Sequence, residues 1–196
     1  TVYRLDGRGG GFREIRQLGL ERFGRLDGYS LGEVICLAAG TLKTISPDWR
    51  LAVSHTGFVL ALLEGLDLPA EAVDALIECL RARRAHDIAG SPETFGLPAD
   101  RADMLSRLTE MCGPFPETLG RARAFAVLPG MEGALFQLET AFGQLEAAGL
   151  SGGAVLDFSV INDLDYYSGM LWQGYVRGVP KPVLAGGYYG GLLKKF

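Results

Sequence analysis

The stretch from Val155 to Gly191 sets the tightest limit on how this chain can fold. It runs through VLDFSVI, Asn162-Asp163, the aromatic segment DYYSGMLWQGYV and, after a short proline-containing interval, the glycine-studded segment AGGYYGG. β-Branched and aromatic side chains dominate 155–161 and 165–176, which is strand composition. Asn162-Asp163 between them is turn chemistry. Gly169, Gly174, Gly186 and Gly187 would weaken plain strands, and glycine inside a strand often marks a bulge or a close approach of ligand to backbone. Tyr166, Tyr167 and Tyr189 each bring an apolar ring with a hydroxyl tip. That combination suits a small polar ligand with a flat ring. Taken singly, each tyrosine reads as sheet packing.

The middle of the chain carries helical periodicity instead. Tyr29 to Ile45 reads as a helix, with Ser30 and Glu33 as a capping box and Leu31, Val34, Ile35, Ala38 and Leu42 as its apolar stripe. Ser54 to Leu66 reads as a second helix, N-capped by Ser54. A third opens at Pro69 and places Val73, Leu76, Ile77 and Leu80 on one side. Helices follow over 98–112, 116–126 and Met131 to Ala148, the last with Leu135, Leu138, Phe142 and Leu145 inward, and Ser151-Gly152-Gly153 stops it. Residues 86–97 (HDIAGSPETFGL) read as a linker. At the start, Val2 to Asp6 reads as a strand end, Gly7 to Gly11 as a flexible loop and Phe12 to Phe23 as a second strand.

Strand segments at about 1–24 and 154–196 thus flank a helical middle at about 30–149. This predicts an α+β fold, an antiparallel sheet with flanking helices and a helical insertion, and not an alternating βα chain. A strand opening at Thr1 and a break after Phe196 would leave sheet edges bare, so the chain is expected to be part of a larger protein.

Composition narrows the function classes. The chain has 196 residues, 48% hydrophobic and 21% charged, which describes a globular domain with a real core. A net charge of −4 argues against a large nucleic-acid surface, which is normally basic. The longest apolar runs, such as Phe58 to Leu63, are too short to span a bilayer. Cys36, Cys79 and Cys112 are odd in number and widely spaced, fitting neither a zinc site nor a disulfide framework, so a cytoplasmic location is expected. Phosphate-loop, dinucleotide-binding, zinc-protease and nucleophile-elbow motifs do not occur. Ser54-His55 is no nucleophile–base pair, because adjacent residues on a helix do not face each other. No catalytic residue, metal or cofactor is expected.

Two motifs in order give the chain a family resemblance. Leu164-Asp165-Tyr166-Tyr167-Ser168-Gly169, followed by Ala185-Gly186-Gly187-Tyr188-Tyr189-Gly190-Gly191-Leu192, resembles the histidine-pocket signature of histidyl-tRNA synthetases. It equally resembles that of their non-aminoacylating relative, the regulatory subunit of ATP phosphoribosyltransferase. Upstream, Tyr3-Arg4-Leu5-Asp6, the glycine loop and Phe12 to Gly24 resemble motif 2 of class II synthetases. The resemblance implies a class II synthetase-type antiparallel sheet. It places Arg4 on the motif 2 arginine, and Gln17 and Glu21 on residues that grip histidine. With Tyr166, Tyr167 and Tyr189 these form the expected histidine-binding set. Independently, an unbulged strand from Phe12 would put Arg13, Gln17 and Glu21 on one face, with Gln17 and Glu21 about 13 Å apart. Without the downstream tyrosines, such a row reads as a solvated sheet face.

The pattern departs from the synthetases where the chemistry is hardest. Asn162-Asp163 stands where they carry Arg-Gly ahead of the Asp-Tyr-Tyr motif; Tyr188 replaces an arginine and Gly190 an aspartate. A neutral amide cannot stabilise charge building on a reacting phosphate, and loss of one preorganised donor typically lowers rate by about 10²–10³. The resemblance therefore implies a non-catalytic regulatory subunit. Its expected ligand is L-histidine, and its expected partner is the short-form ATP phosphoribosyltransferase catalytic subunit, as a homodimer within a hetero-oligomer. The competing reading is the catalytic-core portion of a histidyl-tRNA synthetase.

Overall fold

The strand at the centre of the fold is one that hydropathy alone disguises. A computed structural model describes residues 2–5, 11–24, 27–64, 66–161 and 167–190, and only the backbone of 2, 4, 5, 13 and 91. In it, Trp49–His55 (β3) is a strand, not the entry to a helix. It pairs in parallel with Ala154–Asp157 (β5), through Leu51↔Ala154 to Val53↔Leu156. On its other side it pairs antiparallel with Met170–Val176 (β6), from Trp49↔Val176 to His55↔Met170. Cys112–Pro114 (β4) and Leu184–Gly187 (β7) complete a five-stranded, mostly antiparallel sheet of order β4-β5-β3-β6-β7.

The expected helix from Ser54 is thereby corrected. Only Thr56–Leu60 (α2) is helical, and its N-cap is His55. Leu51 to His55 are all buried, so both faces of the strand are covered and its alternation is reduced to large apolar residues against smaller ones. Such strands read as continuous apolar runs, and the leucines that follow extend the run into a helical look.

β3 still has two different sides. Trp49, Leu51 and Val53 join the main core, where Gly28–Ile45 (α1) and Met131–Ala147 (α8) cover the sheet. Space on that side is fitted closely. A Cβ on Gly32 would collide with the Gln144 carboxamide, whose Nε2 donates to the Gly28 carbonyl at 3.0 Å, so α1 and α8 meet across glycine. A Cβ on Gly174 would fall 2.7 Å from Leu42, and one on Gly153 would fall 2.5 Å from the Trp49 ring. Interiors this dense leave little room for an added methyl group.

The α1 cap is Asp27, not Ser30. The Asp27 Oδ1 accepts from the Ser30 N–H at 2.8 Å, satisfying one of the unpaired donors of the first turn. Beyond α2 come Ala70–Arg81 (α3), Ala85–Ala89 (α4), Ser91–Phe95 (α5), Ala99–Leu108 (α6) and Phe115–Phe125 (α7). The expected linker over 86–97 thus contains most of α4 and all of α5, joined at Gly90, with Ile88 and Leu97 fully in the core. After α3 the backbone of Arg83 turns left-handed, at φ 55°. Glycine normally fills such a helix-ending position, because a Cβ there is disfavoured.

The first two strands stand outside the main sheet. Among the described residues Val2–Leu5 (β1) and Phe12–Ile15 (β2) pair only with each other, from Val2↔Ile15 to Leu5↔Phe12. The expected strand from Phe12 to Phe23 therefore ends at Ile15. Past the Val2↔Ile15 pair, β2 has no partner strand among the described residues. Residues 16–23 are exposed and irregular.

Candidate functional site on the open face of the sheet

Strand register and side-chain alternation place Ala52, Ser54, Val155, Asp157, Leu171, Gln173, Tyr175 and Gly187 on the face away from α1 and α8. This face is built from smaller and more polar groups than its reverse. Ala52, Val160 and Leu171 form a small apolar cluster of their own, with Val155, Tyr167 and Tyr175 packed against it. Because Leu171 is paired with Gly187, the neighbouring strand offers no side chain there, and the Tyr167 ring occupies the space. A Cβ on Gly187 would stand 2.5 Å from Tyr167 Cδ1.

Tyr167 meets Tyr189 edge to face, with ring centroids 6.4 Å apart and planes at 65°. This is a favoured aromatic geometry. Both rings are half-buried, leaving part of each open. Tyr188 behaves differently. Its ring packs against Gly169 and Gly190, where a Cβ would be 2.9 Å or less away. Its N–H donates to the Met170 carbonyl at 2.8 Å, and its own carbonyl accepts from the Ser168 N–H at 3.0 Å. Tyr188 thus helps fasten β7 to the start of β6.

Polar groups surround the apolar patch. The Tyr175 hydroxyl donates to Gln173 Oε1 at 2.6 Å. Burial, reinforced by the nearby Asp157 charge, holds the Tyr175 phenol above its ordinary pKa. Asp157 is nearly buried and fully engaged. Its Oδ2 accepts from Arg83 at 2.6 Å, and its Oδ1 accepts from the Ser159 N–H at 3.0 Å and hydroxyl at 2.7 Å. Burial raises the Cys112 thiol, and Asp157 adds to the shift, which keeps the thiol protonated and poorly nucleophilic. The Ser54 hydroxyl lies on this face, fully buried and without a hydrogen-bond partner among the described residues.

The next residue, His55, turns to the helical side. Its Nδ1 accepts from the Gly57 N–H at 3.1 Å, so the ring proton sits on Nε2 and is donated to Gln137 Oε1 at 3.2 Å. Burial lowers its pKa. His55 is therefore a neutral structural joint between β3, α2 and α8.

Of the six residues expected from the sequence, the structure joins two, Tyr167 and Tyr189. Tyr166 lies outside the described residues, as do Asn162 and Asp163. Arg4 is in β1, its backbone opposite Arg13, and only its backbone is described. Gln17 and Glu21 are exposed on the irregular stretch after β2. The expected single-face row of Arg13, Gln17 and Glu21 is corrected, because it required a strand the chain does not form. Sequence reasoning also passed over Ala52, Ser54, Leu171, Gln173 and Tyr175. For Ala52 and Ser54 the missed signal was the period of two in Trp49-Arg50-Leu51-Ala52-Val53-Ser54. Among the described residues no cluster of histidine, cysteine and carboxylate groups could hold a metal ion. No described helix is long and apolar enough to cross a membrane.

Comparison with known proteins identifies the family and agrees with the fold. The histidyl-tRNA synthetase family model matches residues 1–196. The ATP phosphoribosyltransferase regulatory subunit of Moorella thermoacetica is 31% identical over 185 residues, covering 94% of this chain and 47% of that protein. The chain spans about half the length of the curated relatives it matches. A crystal structure of an ATP phosphoribosyltransferase regulatory subunit/histidyl-tRNA synthetase from Bacillus halodurans superposes with a TM-score of 0.75 at 26% identity, over 88% of this chain and 45% of that one. A chain of the ATP phosphoribosyl transferase (HisG:HisZ) complex from Thermotoga maritima shares the fold, with a TM-score of 0.77 at 18% identity, over 96% of this chain and 65% of that one. With a family match over its whole length and a sheet that superposes on these structures, the chain belongs to the histidyl-tRNA synthetase family, within which it resembles the ATP phosphoribosyltransferase regulatory subunits.

Proposed function

We propose that this chain is the synthetase-like portion of a non-catalytic regulatory subunit of ATP phosphoribosyltransferase. In this reading it binds L-histidine on the open face of the sheet. It activates, and relays histidine feedback to, a short catalytic subunit at the first step of histidine biosynthesis in the cytoplasm. The observation that carries the reading is the Tyr167 ring seated over Gly187 with Tyr189 meeting it edge to face, a small aromatic wall beside a face of modest side chains. An imidazole can stack on or meet the edge of such rings, and the hydroxyl tips can serve its polar end. Gln17, Glu21, Arg4 and Tyr166 complete the proposed pocket by resemblance, with Glu21 on the amine or an imidazole N–H. The names of the sequence relatives support the regulatory role, and the two-protein complex from Thermotoga maritima supports a catalytic partner.

Asn162 decides against aminoacylation in this reading, since it puts an amide where adenylate formation needs a guanidinium. The test is calorimetric titration of the full-length protein with L-histidine, together with histidine-dependent ATP–pyrophosphate exchange. Saturable binding with no exchange is the expected result. Exchange above background would make the protein a synthetase, and absence of binding by well-folded protein would remove the histidine site. Co-expression with a short ATP phosphoribosyltransferase is expected to give a complex that survives gel filtration.

A further inference from the structure

The geometry points to Arg81 and Arg83, at the end of α3, as positioning residues that hold the 157–161 segment beneath the tyrosine site. This inference rests on the histidine-site reading above. Arg81 Nε donates to the Ile161 carbonyl at 3.0 Å, at the last described residue before the motif segment. Arg83 donates to Asp157 Oδ2 at 2.6 Å and to the Thr109 carbonyl at 2.7 Å. One helix end thus grips both ends of a five-residue turn and also the approach to β4. Inside the turn, Asp157 Oδ1 holds Ser159, and the Val160 N–H donates to the Asp157 carbonyl at 3.1 Å.

The turn is mechanically connected to the site. Val160 packs with Ala52 and Leu171 in the small cluster against which Tyr167 rests. Phe158 and Ile161 point into the main core. A shift of the turn would move Val160 and with it the support of Tyr167.

The backbone at Arg83 speaks for the side chain. A left-handed position after a helix is one where glycine would be preferred. Arginine there is explained by its guanidinium, which makes two bonds no glycine could make. The planar fork lets it serve a carboxylate and a carbonyl at once.

Arg83→Gly separates the two roles, since it relaxes the backbone while removing the guanidinium. In the full-length protein, Arg83→Gly is expected to weaken L-histidine binding at least tenfold by calorimetry. Asp157→Asn should weaken it similarly, and the double variant should be no weaker than the worse single one, because both changes break the same pair. Arg81→Lys should retain more affinity than Arg81→Ala. Histidine affinity within twofold of wild type in Arg83→Gly and Arg81→Ala, with folding intact, overturns the inference. Hydrogen exchange tests the clamp without histidine. Protection at 158–161 should fall in Arg83→Gly, and unchanged protection there overturns the inference too. Failure of the wild-type protein to bind histidine would defeat the functional reading alone and leave the exchange result to judge the clamp.

Discussion

The two faces of the central sheet are made from the same strands but for different ends. On the helical face, Trp49, Leu51, Val53 and Trp172 join the core beneath α1 and α8, and glycines at 32, 153 and 174 are filled by neighbouring side chains. On the open face the same strands show Ala52, Ser54, Leu171 and Gln173, and the glycine at 187 is overlain by Tyr167. One face spends its apolar area on holding the fold together. The other keeps small groups, phenols and a buried hydroxyl with no partner among the described residues, features that add little to stability. Glycine has opposite meanings on the two sides: it permits helix packing on one and seats a ring of the proposed pocket on the other.

Substitutions can break or sharpen this contrast. Leu51→Ala, on the helical face, should lower unfolding free energy by about 2–5 kcal/mol, as for other buried leucines, measured by urea denaturation. Tyr167→Ala, on the open face, should weaken L-histidine binding by about 10–100-fold, the loss of one or two good contacts at about 1–3 kcal/mol. Its stability loss should be smaller than that of Leu51→Ala, and the reverse order would erase the distinction between the faces. Gly187→Ala should mimic Tyr167→Ala in a calorimetric titration by displacing the ring.

Smaller effects test the paired neighbours Ser54 and His55. His55 is held neutral by burial, so its folded pKa lies below the ordinary value of 6.5. The unfolded chain then binds more protons as pH falls through that value, and stability must drop with it. The slope is at most about 1.4 kcal/mol per pH unit. Urea midpoints between pH 7.5 and 5.5 should show this loss in the wild type, and a correspondingly weaker one in His55→Gln. Ser54→Ala removes a buried hydroxyl that has no partner among the described residues. It should therefore leave stability unchanged or raise it by about 1 kcal/mol; a clear loss would mean that the hydroxyl is engaged.

Much of this architecture was legible in the sequence. The start of the third helix just after Pro69 and the extents of α1 and α8 follow from period and breakers, and the structure places them within a few residues. The strand composition near the C-terminus is right in kind, but the strands are shorter than expected, β5 ending at Asp157 and β6 beginning at Met170. β3 was hidden because both of its faces are buried, so its period shows only as large apolar residues alternating with smaller ones, and the leucines that follow mask it. The stretch after β2 misled in the opposite way. The even spacing of Arg13, Gln17 and Glu21 suits one face of a strand, but a strand needs a partner, and pairing information is not local. For the site, the tyrosine and glycine motifs were readable because their chemistry is unusual. Ala52 and Ser54 were not, because small residues matter there through their position alone.

The parallel pairing of Leu51 with Ala154 has a consequence for how the molecule is made. On the ribosome, β3 emerges early and must wait, unpaired along both edges, while the whole helical insertion is synthesised. Loop closure over so long a separation is slow, and a bare apolar strand is prone to mispairing in the interval. The insertion helices can build a shelter for it first, so chaperone dependence should concentrate in the window before β5 and β6 leave the exit tunnel.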